Sequence, residues 1–398
     1  MKRWNCILGL VIAACLLNVA NAGKPDKPSG KDDTEPSPVI ELSLEKGTVL
    51  EINNEEGECI QAVGQMQPSL TGPTADTYAF YSKLDSKGNV LDFLPLPLAA
   101  PEGCTAELSS ARGINQSGNV VGWAAELRVW EFNEDYQFLF SWPLLWANSA
   151  SSPLLLPLPA GFEDYYGAAE SINDEGIVVG HIWKGFDNAV VAWKVDVSGE
   201  NAVVEDCIAF LQSTAYSPSL DIDGHWAINR VTEFGLGIAN VREPDENQAY
   251  RFLLGFDDST GRLTVVTAPL LEEPAEAYAI NDLGTAGGLY RPTMSAFAVT
   301  VDGVLQDLEE LPPARDKGVA VEYKNWRVDA INNLEIKVGK VIGIETRYGH
   351  WWGDYPAMWD ESGALTLLHA DWEGVFAIND AGWLGGMSKN RSPAIELP

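Results

Sequence analysis

Short apolar runs alternate with polar turns along almost the whole chain after residue 38. Seven segments share an Ile-Asn step that is followed within several residues by glycine. The isoleucines of these steps are Ile52, Ile114, Ile172, Ile228, Ile280, Ile331 and Ile378. Successive copies are 62, 58, 56, 52, 51 and 47 residues apart. A motif that returns at such intervals predicts a repeat architecture.

Each repeat predicts four short β-strands. The Asn-Asp-x-Gly step predicts a turn, because asparagine and aspartate tolerate left-handed backbone and glycine supplies positive φ. A β-rich run that ends in glycine follows, as in Val120–Gly122. A second β-rich element, such as Val191–Val195, precedes another turn and a final strand. No segment shows a sustained helical period.

Seven four-stranded units predict an all-β fold, a seven-bladed β-propeller, because closing the ring protects nearly all sheet edges. An open β-solenoid is the alternative, although its coils are shorter and more regular. The last repeat ends near Leu397 without room for a fourth strand, whereas Val39–Leu44 alternates like a strand and has no place in the first repeat. We expect Val39–Leu44 to complete the last blade of a single domain spanning residues 39–398.

Tryptophans recur at one place in the second β-rich element of the repeat. They are Trp146, Trp193 and Trp359. Because both faces of a propeller sheet are buried against neighbouring blades, these side chains are predicted to pack between blades.

The repeat resembles a known family of bacterial extracellular repeats, the HAF family. The shared pattern is small-x-Ile-Asn-Asp-x-Gly-x-Val-Val-Gly followed by Ala-Phe-x-Trp. Its clearest copies are Ala111–Gly122, Ala169–Gly180, Ala277–Gly288 and Val375–Gly386. In copies one, four and six, extra residues separate the asparagine from the closing glycine, and the histidine that usually opens the second element is absent. The resemblance implies export and a repetitive β fold, and it implies no established activity or substrate.

The first 38 residues predict export. Lys2 and Arg3 precede an apolar run from Cys6 to Val19, and Ala20–Ala22 is a small-x-small cleavage site. Residues 1–22 are therefore predicted to be a signal peptide of a secreted or periplasmic protein. A lipoprotein anchored at Cys15 is the alternative. Residues 23–38 are rich in proline, glycine and charge and predict a flexible linker.

Composition excludes several kinds of partner. The chain carries 57 acidic and 26 basic residues, a net charge of −31, so its surface repels nucleic acid and anionic lipid. Beyond the signal peptide no apolar run approaches a membrane span. The four histidines lack metal-ligand spacing, and no cofactor motif is present. The turn acids Asp174, Asp282 and Asp380 are interpreted as turn formers, with calcium binding as the alternative.

Three cysteines follow the predicted signal peptide. Cys59 and Cys104 fall in neighbouring repeats and are the favoured disulfide pair, which would leave Cys207 free. The alternative is three unpaired, buried thiols.

One position of the inner strand varies in chemistry. Two residues before the repeat isoleucine stand large or charged side chains, whereas the flanking residues are mostly small. The candidate ligand-binding residues at this position are Arg112, Glu170, Trp226, Tyr278 and Asp329. Such a mixed set suits a polar, ring-stacking ligand such as a sugar. The structural alternative is that Arg112 pairs with Glu170 and the aromatic rings fill the core.

Trp351 and Trp352 are further candidates for binding, because aromatic residues on a loop between strands often mark glycan or protein contacts.

No catalytic residue is predicted, since no nucleophile or phosphate motif is present. The favoured function is an exported, non-enzymatic binding or scaffold propeller whose partner is an extracellular protein or glycan. The alternative is an exported polysaccharide lyase or hydrolase, for which Glu170 and Asp329 are the candidate pair of carboxylates.

Overall fold

The computed structural model of the protein describes residues 39–396 with eleven gaps. The gaps are residues 44, 54–58, 68–76, 131–132, 150, 186, 199–201, 214–229, 243–246, 317–318 and 348. The predicted signal peptide, the alternative anchor at Cys15, the linker and Trp226 all lie outside the described residues.

Seven antiparallel sheets follow one another along the chain and form the blades of a β-propeller. The prediction of an all-β, seven-bladed propeller is confirmed. Blade 1 contains β2 (Gly47–Ile52), β3 (Cys59–Met66), β4 (Tyr78–Asp85) and β5 (Val90–Pro95). Blade 2 contains β6 (Leu108–Ile114), β7 (Val120–Trp130), β8 (Asn133–Trp146) and β9 (Leu154–Leu155). Blade 3 contains β10 (Tyr166–Ile172), β11 (Ile177–Lys184), β12 (Asp187–Asp196) and β13 (Val203–Ser213).

The remaining strands repeat this order from the axis outwards. Blade 4 contains β14 (Arg230–Val231), β15 (Leu236–Arg242), β16 (Asn247–Asp257) and β17 (Arg262–Pro269). Blade 5 contains β18 (Ala275–Ile280), β19 (Ala286–Tyr290) and β20 (Ser295–Val299). Blade 6 contains β21 (Ala314–Asp316), β22 (Val319–Ile331), β23 (Lys337–Glu345), β24 (Trp351–Trp359) and β25 (Leu365–Leu367). Blade 7 contains β26 (Trp372–Ile378), β27 (Leu384–Ser388), β28 (Pro393–Glu396) and β1 (Val39–Glu41).

Two blades depart from four full strands. In blade 5 the fourth strand is reduced to a single bridge between Val299 and Leu305. Blade 6 has a fifth strand, because β21 folds back on the beginning of the long inner strand β22. The number of blades is thus preserved while the number of strands in a blade varies.

The ring closes through the beginning of the described chain. Strand β1 pairs antiparallel with β28, with Ile40 opposite Ile395. The backbone N–H of Leu42 donates to the carbonyl of Pro393 at 2.8 Å, and the Leu42 side chain is buried. The prediction that the N-terminal strand completes the last blade is confirmed.

The hydrophobic core lies between blades. Trp146, Trp193 and Trp359 are fully buried, and each packs in a cluster that includes side chains of the preceding blade. Each indole N–H also donates to a backbone carbonyl of the segment entering its blade, as Trp146 does to Pro97 at 2.8 Å. The prediction that these tryptophans pack between blades is confirmed.

All three cysteines within the described residues are free thiols and partly buried. The favoured disulfide between Cys59 and Cys104 is therefore wrong for this structure, and the alternative of unpaired thiols holds. Burial raises the pKa of the Cys207 thiol to about 12, with Asp206 adding to the shift. No helix in the described part of the chain is long and apolar enough to cross a membrane.

Candidate functional site: the axial cavity and its acidic mouth

The varied position of the repeat is a β-bulge. In six blades the pairing of the two inner strands shifts by one residue at this position, as it does between Ala111 and Gly113 around Arg112. The bulged residues are Leu50, Arg112, Glu170, Tyr278, Asp329 and Phe376. A bulge leaves one residue outside the ladder and redirects its side chain. This local geometry explains why the position tolerates different chemistry.

The bulge also explains the glycine that ends the second strand of the repeat. A Cβ on Gly122 would lie 2.0 Å from the carbonyl oxygen of Ser110. Gly180 stands in the same relation to Ala168 in the next blade. At the bulge the backbone of the inner strand lies so close to the second strand that only glycine fits at this position of the second strand.

A ring of asparagine side chains joins the blades at the end of the inner strands. The Nδ2 of Asn115 donates to the carbonyl of Asn173 at 3.1 Å, and its Oδ1 accepts from the N–H of Asn119 at 2.9 Å. Six blades use this bridge, in which asparagine closes its own turn and holds the next blade. The other five donors are Asn53, Asn173, Asn281, Asn332 and Asn379.

In blades 4 and 6 the structure shows a different register from the one expected from the sequence. In blade 4 the ring position is Thr232, since it accepts from Asn173 and its N–H donates to Leu236. Val231-Thr232 therefore replaces Ile228-Asn229. In blade 6 the turn contains no inserted residues, because Glu335 adopts a φ of 60° where other repeats have glycine. The Glu335 carboxylate accepts hydrogen bonds from Asn281, Thr285 and Gln306 of blade 5, which offset the strained backbone.

A second ring lies one residue beyond the asparagines. The backbone N–H of each residue donates to the side chain at the same position in the next blade, as Gln116 does to Asp174 at 2.8 Å. The series continues through Glu233, Asp282, Asn333 and Asp380. We call Asp174, Glu233, Asp282 and Asp380 the acidic mouth. The turn acids thus act between blades, not only within their own turns.

Burial and neighbouring negative charge act together on Glu233. Burial raises its pKa to about 7, and the charges of Asp174, Asp282 and Glu175 add to the shift against the hydrogen bond from the Asp174 N–H. Among the described residues, no group of three or more metal-binding side chains is placed to hold an ion.

A cavity of about 140 Å³ lies on the axis behind the acidic mouth. Its lining comes from all seven inner strands and the turns that follow them. The repeat isoleucines form an apolar belt, with Val231 in blade 4. Beyond this belt the cavity wall is polar and contains Glu51, Arg230, Tyr278 and Asp329.

Glu51 and Arg230 meet within this cavity. The guanidinium Nη1 of Arg230 lies 2.5 Å from Oε2 of Glu51 and 3.4 Å from the carbonyl oxygen of Arg112. Burial raises the pKa of the Glu51 carboxyl, and the positive charge of Arg230 opposes that shift. Blades 2, 3, 5 and 6 carry small residues at the same strand position, namely Gly113, Ser171, Ala279 and Ala330.

Tyr278 and Asp329 belong to a charged group between blades 5 and 6. Arg327 Nε lies 2.6 Å from Asp329 Oδ1, and its guanidinium covers the Tyr278 ring at 4.9 Å. The Tyr278 hydroxyl donates to Glu276, which also pairs with Arg291. Burial raises the pKa of Asp329 against the lowering effect of Arg327 and Lys340. The buried Oδ2 of Asp329 has no hydrogen-bond partner among the described residues.

Arg112 and Glu170 are buried outside the lining of the axial cavity. His181 Nδ1 lies 3.3 Å from Glu170 Oε1, and the His181 ring stacks on Trp183. Burial lowers the pKa of Arg112, and the charge of Glu170 opposes that shift. The structure thus favours the structural alternative for these two residues and places Tyr278 and Asp329 at the cavity.

Trp226 lies outside the described residues, so its place relative to the cavity is not described. Trp351 and Trp352 begin strand β24, so the expectation that they lie on a loop is wrong. The ladder between β23 and β24 extends this far, because Trp351 pairs with Ile344.

Glu51 and Arg230 were absent from the residues predicted from the sequence. The signal for Glu51 was its place directly before a repeat isoleucine, where most copies have a small residue. Arg230 gave no such signal, because its place becomes clear only once Val231-Thr232 is recognised as the true register.

The fold defines the class of protein as a seven-bladed β-propeller. No protein-family model and no curated protein sequence matches the chain. Solved structures that resemble it include virginiamycin B lyase from Staphylococcus aureus, at 10% identity over 90% of this chain and 98% of that one, with a TM-score of 0.44. Another is the β-propeller domain of the Trilobed protease from Pyrococcus furiosus, at 12% identity over 88% and 92%, with a TM-score of 0.39. Kluyveromyces lactis Hsv2 is 11% identical over 86% and 91%, with a TM-score of 0.38. Likeness at this level carries no argument about function.

Proposed function

We propose that this protein is an exported, non-enzymatic binding propeller whose axial cavity holds a small polar ligand. The observation that carries the proposal is the set of large polar side chains in the cavity wall. Glu51 and Arg230 stand where neighbouring blades have glycine, serine or alanine. Small residues satisfy the packing of the ring at this depth, so packing alone gives no reason for a charged pair on the axis.

A saccharide is the ligand class that the chemistry favours. Its hydroxyl groups donate to and accept from carboxylate, guanidinium and phenol groups, which the cavity wall provides together. An unpartnered buried oxygen on Asp329 is a further acceptor close to the axis.

A binding role is favoured over hydrolysis by the arrangement of the carboxylates. Glycosidases use two carboxyl groups that face each other across the scissile bond. Glu170 lies outside the cavity lining in a group with His181 and Arg112. The carboxylates of Glu51 and Asp329 in the cavity wall are each held in an ion pair, with Arg230 and Arg327. Export is supported by the predicted signal peptide and by the resemblance of the repeats to the HAF family.

The test is a glycan-array screen with the purified protein, followed by calorimetry on any ligand found. We expect Glu51→Gln and Asp329→Asn to weaken binding by about tenfold or more, because each removes a charged hydrogen-bond partner from the cavity. Arg262→Gln is the matched control, since Arg262 is an exposed arginine of blade 4.

Two results would contradict the proposal. One is normal binding of the glycan by both cavity variants, which would place the site elsewhere. The other is release of reducing or unsaturated sugar from polysaccharide by the wild-type protein, which would support the enzymatic alternative. Thermal melting of each variant separates lost binding from lost folding.

A further inference from the structure

The turns around the acidic mouth differ in one position. Two residues after the ring asparagine, blades 2, 3 and 7 carry Ser117, Glu175 and Ala381. The same position in three consecutive blades holds Phe234, Leu283 and Leu334, whose exposed fractions are 74%, 58% and 57%. The turn accepts a polar or small residue here, so the fold does not require large apolar side chains.

These three side chains occupy neighbouring turns. The N–H of Glu233 donates to Asp282, and the N–H of Asp282 donates to Asn333. Each apolar residue directly follows one member of this series. Phe234, Leu283 and Leu334 therefore lie in an arc of three successive turns beside the mouth.

The arc continues outwards over blades 4 and 5. Leu236 pairs with Leu253, which pairs with Val266, and the last two are exposed. A Cβ on Gly284 would contact both Leu236 and Val301, so the two blades meet at this point. Val301, Val304 and Leu305 are also exposed, where blade 5 has only a single bridge in place of its fourth strand.

We call this surface the apolar patch. Its members are Phe234, Leu253, Val266, Leu283, Val301, Val304, Leu305 and Leu334. A contiguous exposed apolar area of this kind commonly marks a site of protein interaction.

Negative charge borders the apolar patch. Glu233 and Asp282 lie on its axial side, and Asp302 stands within the turn that carries Val301 and Val304. The positive charge of Arg251 is already engaged, because its guanidinium donates hydrogen bonds to the carbonyls of Val301 and Thr300. The exposed Arg262 lies 4.0 Å from Asp206. An apolar partner with basic flanks would complement this surface, whereas an anionic lipid surface would be repelled.

We propose that the apolar patch binds a basic amphipathic segment of a partner protein. The apolar side of the segment covers the arc, and its lysines or arginines face the acids at the mouth. This role goes beyond binding of a small ligand in the axial cavity, because the apolar side chains of the arc are not part of the cavity lining.

The test measures fluorescence anisotropy of a labelled amphipathic helix of leucine and lysine, about 18 residues or five turns long. We expect the protein to bind it, and we expect the variant Phe234→Ser/Leu283→Ser/Leu334→Ser to bind about tenfold more weakly or worse. The matched control is Leu91→Ser/Leu94→Ser/Leu98→Ser, which removes exposed leucines outside the apolar patch and should bind normally. A second peptide with glutamate in place of lysine should not bind.

Four outcomes would overturn the proposal. They are no binding of the lysine peptide by the wild-type protein, equal binding by the two triple variants, equal binding of the glutamate peptide, and a dimer in sedimentation that the patch variant abolishes. The last result would assign the surface to a second copy of this chain. Because these variants leave the cavity wall unchanged, glycan binding by the same proteins tests the axial cavity separately.

Discussion

Glu51 of blade 1 and Arg230 of blade 4 join opposite parts of the ring through an ion pair of 2.5 Å. The two residues are 179 positions apart in sequence, and both side chains are largely shielded from solvent. The pair links non-adjacent blades directly, in addition to the contacts that pass from each blade to the next.

Arg230→Gln should lower the free energy of unfolding by roughly 1–3 kcal/mol, because it leaves the Glu51 carboxylate without its charged partner. The double variant Glu51→Gln/Arg230→Gln should recover part of the loss, since no unpaired charge remains. Urea denaturation of the single and double variants measures the coupling. Equal stability of Arg230→Gln and wild type would show that the pair does not support the ring.

The ring asparagines should be sensitive to truncation. Asn115→Ala removes the acceptor for the buried Asn119 N–H and the donor to Asn173, so we expect a loss of about 1–3 kcal/mol. Asn115→Asp is the matched variant, because it keeps the acceptor and removes only the donor. Urea denaturation should rank wild type above Asn115→Asp and that variant above Asn115→Ala.

Thr232→Asn should stabilise the protein. Thr232 is the one ring position without asparagine among the described blades, and its neighbour Asn281 stands where the other acceptors stand. A seventh bridge from position 232 to the Asn281 carbonyl should add about 0.5–1.5 kcal/mol. The measurement is the midpoint of urea unfolding, and a lower midpoint would show that blade 4 cannot adopt the geometry of the other six.

Closure of the ring should depend on the N-terminal strand. Deleting residues 39–44 removes β1 and the buried Leu42, so the edge of β28 is exposed and global melting should fall. Deleting residues 23–38, the predicted linker, is the control and should leave melting unchanged. Calorimetry on both deletions checks the prediction, which fails if they melt alike.

Glu233 should make stability depend on pH. Its folded pKa is raised to about 7, so its favourable contribution is present at pH values below its usual pKa of 4.5 and is lost as pH rises through 7. Glu233→Gln should therefore gain stability relative to wild type between pH 4.5 and 7.

Asp85→Asn is the control of opposite sign. Hydrogen bonds from Asn89 lower the pKa of Asp85, so this carboxylate contributes stability above its usual pKa of 3.8 that is lost as pH falls. Urea denaturation from about pH 2 to 8 compares the two variants, because the change at Asp85 falls below pH 3.8 and the change at Glu233 falls between pH 4.5 and 7. A pH-independent difference between Glu233→Gln and wild type would contradict the raised pKa.

The sequence predicted the parts of the fold that depend on local turn chemistry. Ile114-Asn115 and Ile172-Asn173 are followed by turns that only a few residue types can form, so the blades could be counted and aligned. Blade 6 was counted through Ile331, but its turn was expected to contain extra residues, because Glu335 occupies the position of glycine and hydrogen bonds from blade 5 offset its backbone strain. Local chemistry cannot reveal a turn that is stabilised by another blade.

The candidate site was also predicted only in part from the sequence. The sequence identified the varied bulge position and, with it, Tyr278 and Asp329 at the cavity wall. The sequence also gave Glu170 as a candidate binding residue, whereas in the structure Glu170 lies beside His181 and outside the cavity lining. Glu170 and Asp329 occupy equivalent bulges, and the side chains of the adjoining strands decide which partner each carboxylate meets.

By itself, the sequence determined the all-β class, the number of blades and the strand that closes the ring, because these follow from periodicity and from which turns the backbone can adopt. The tertiary structure alone decided that Glu51 meets Arg230 on the axis, that asparagines bridge successive blades, and that Phe234, Leu283 and Leu334 form one surface. These relationships join residues from different repeats. They arise when the ring closes and brings equivalent positions side by side, which no local pattern encodes.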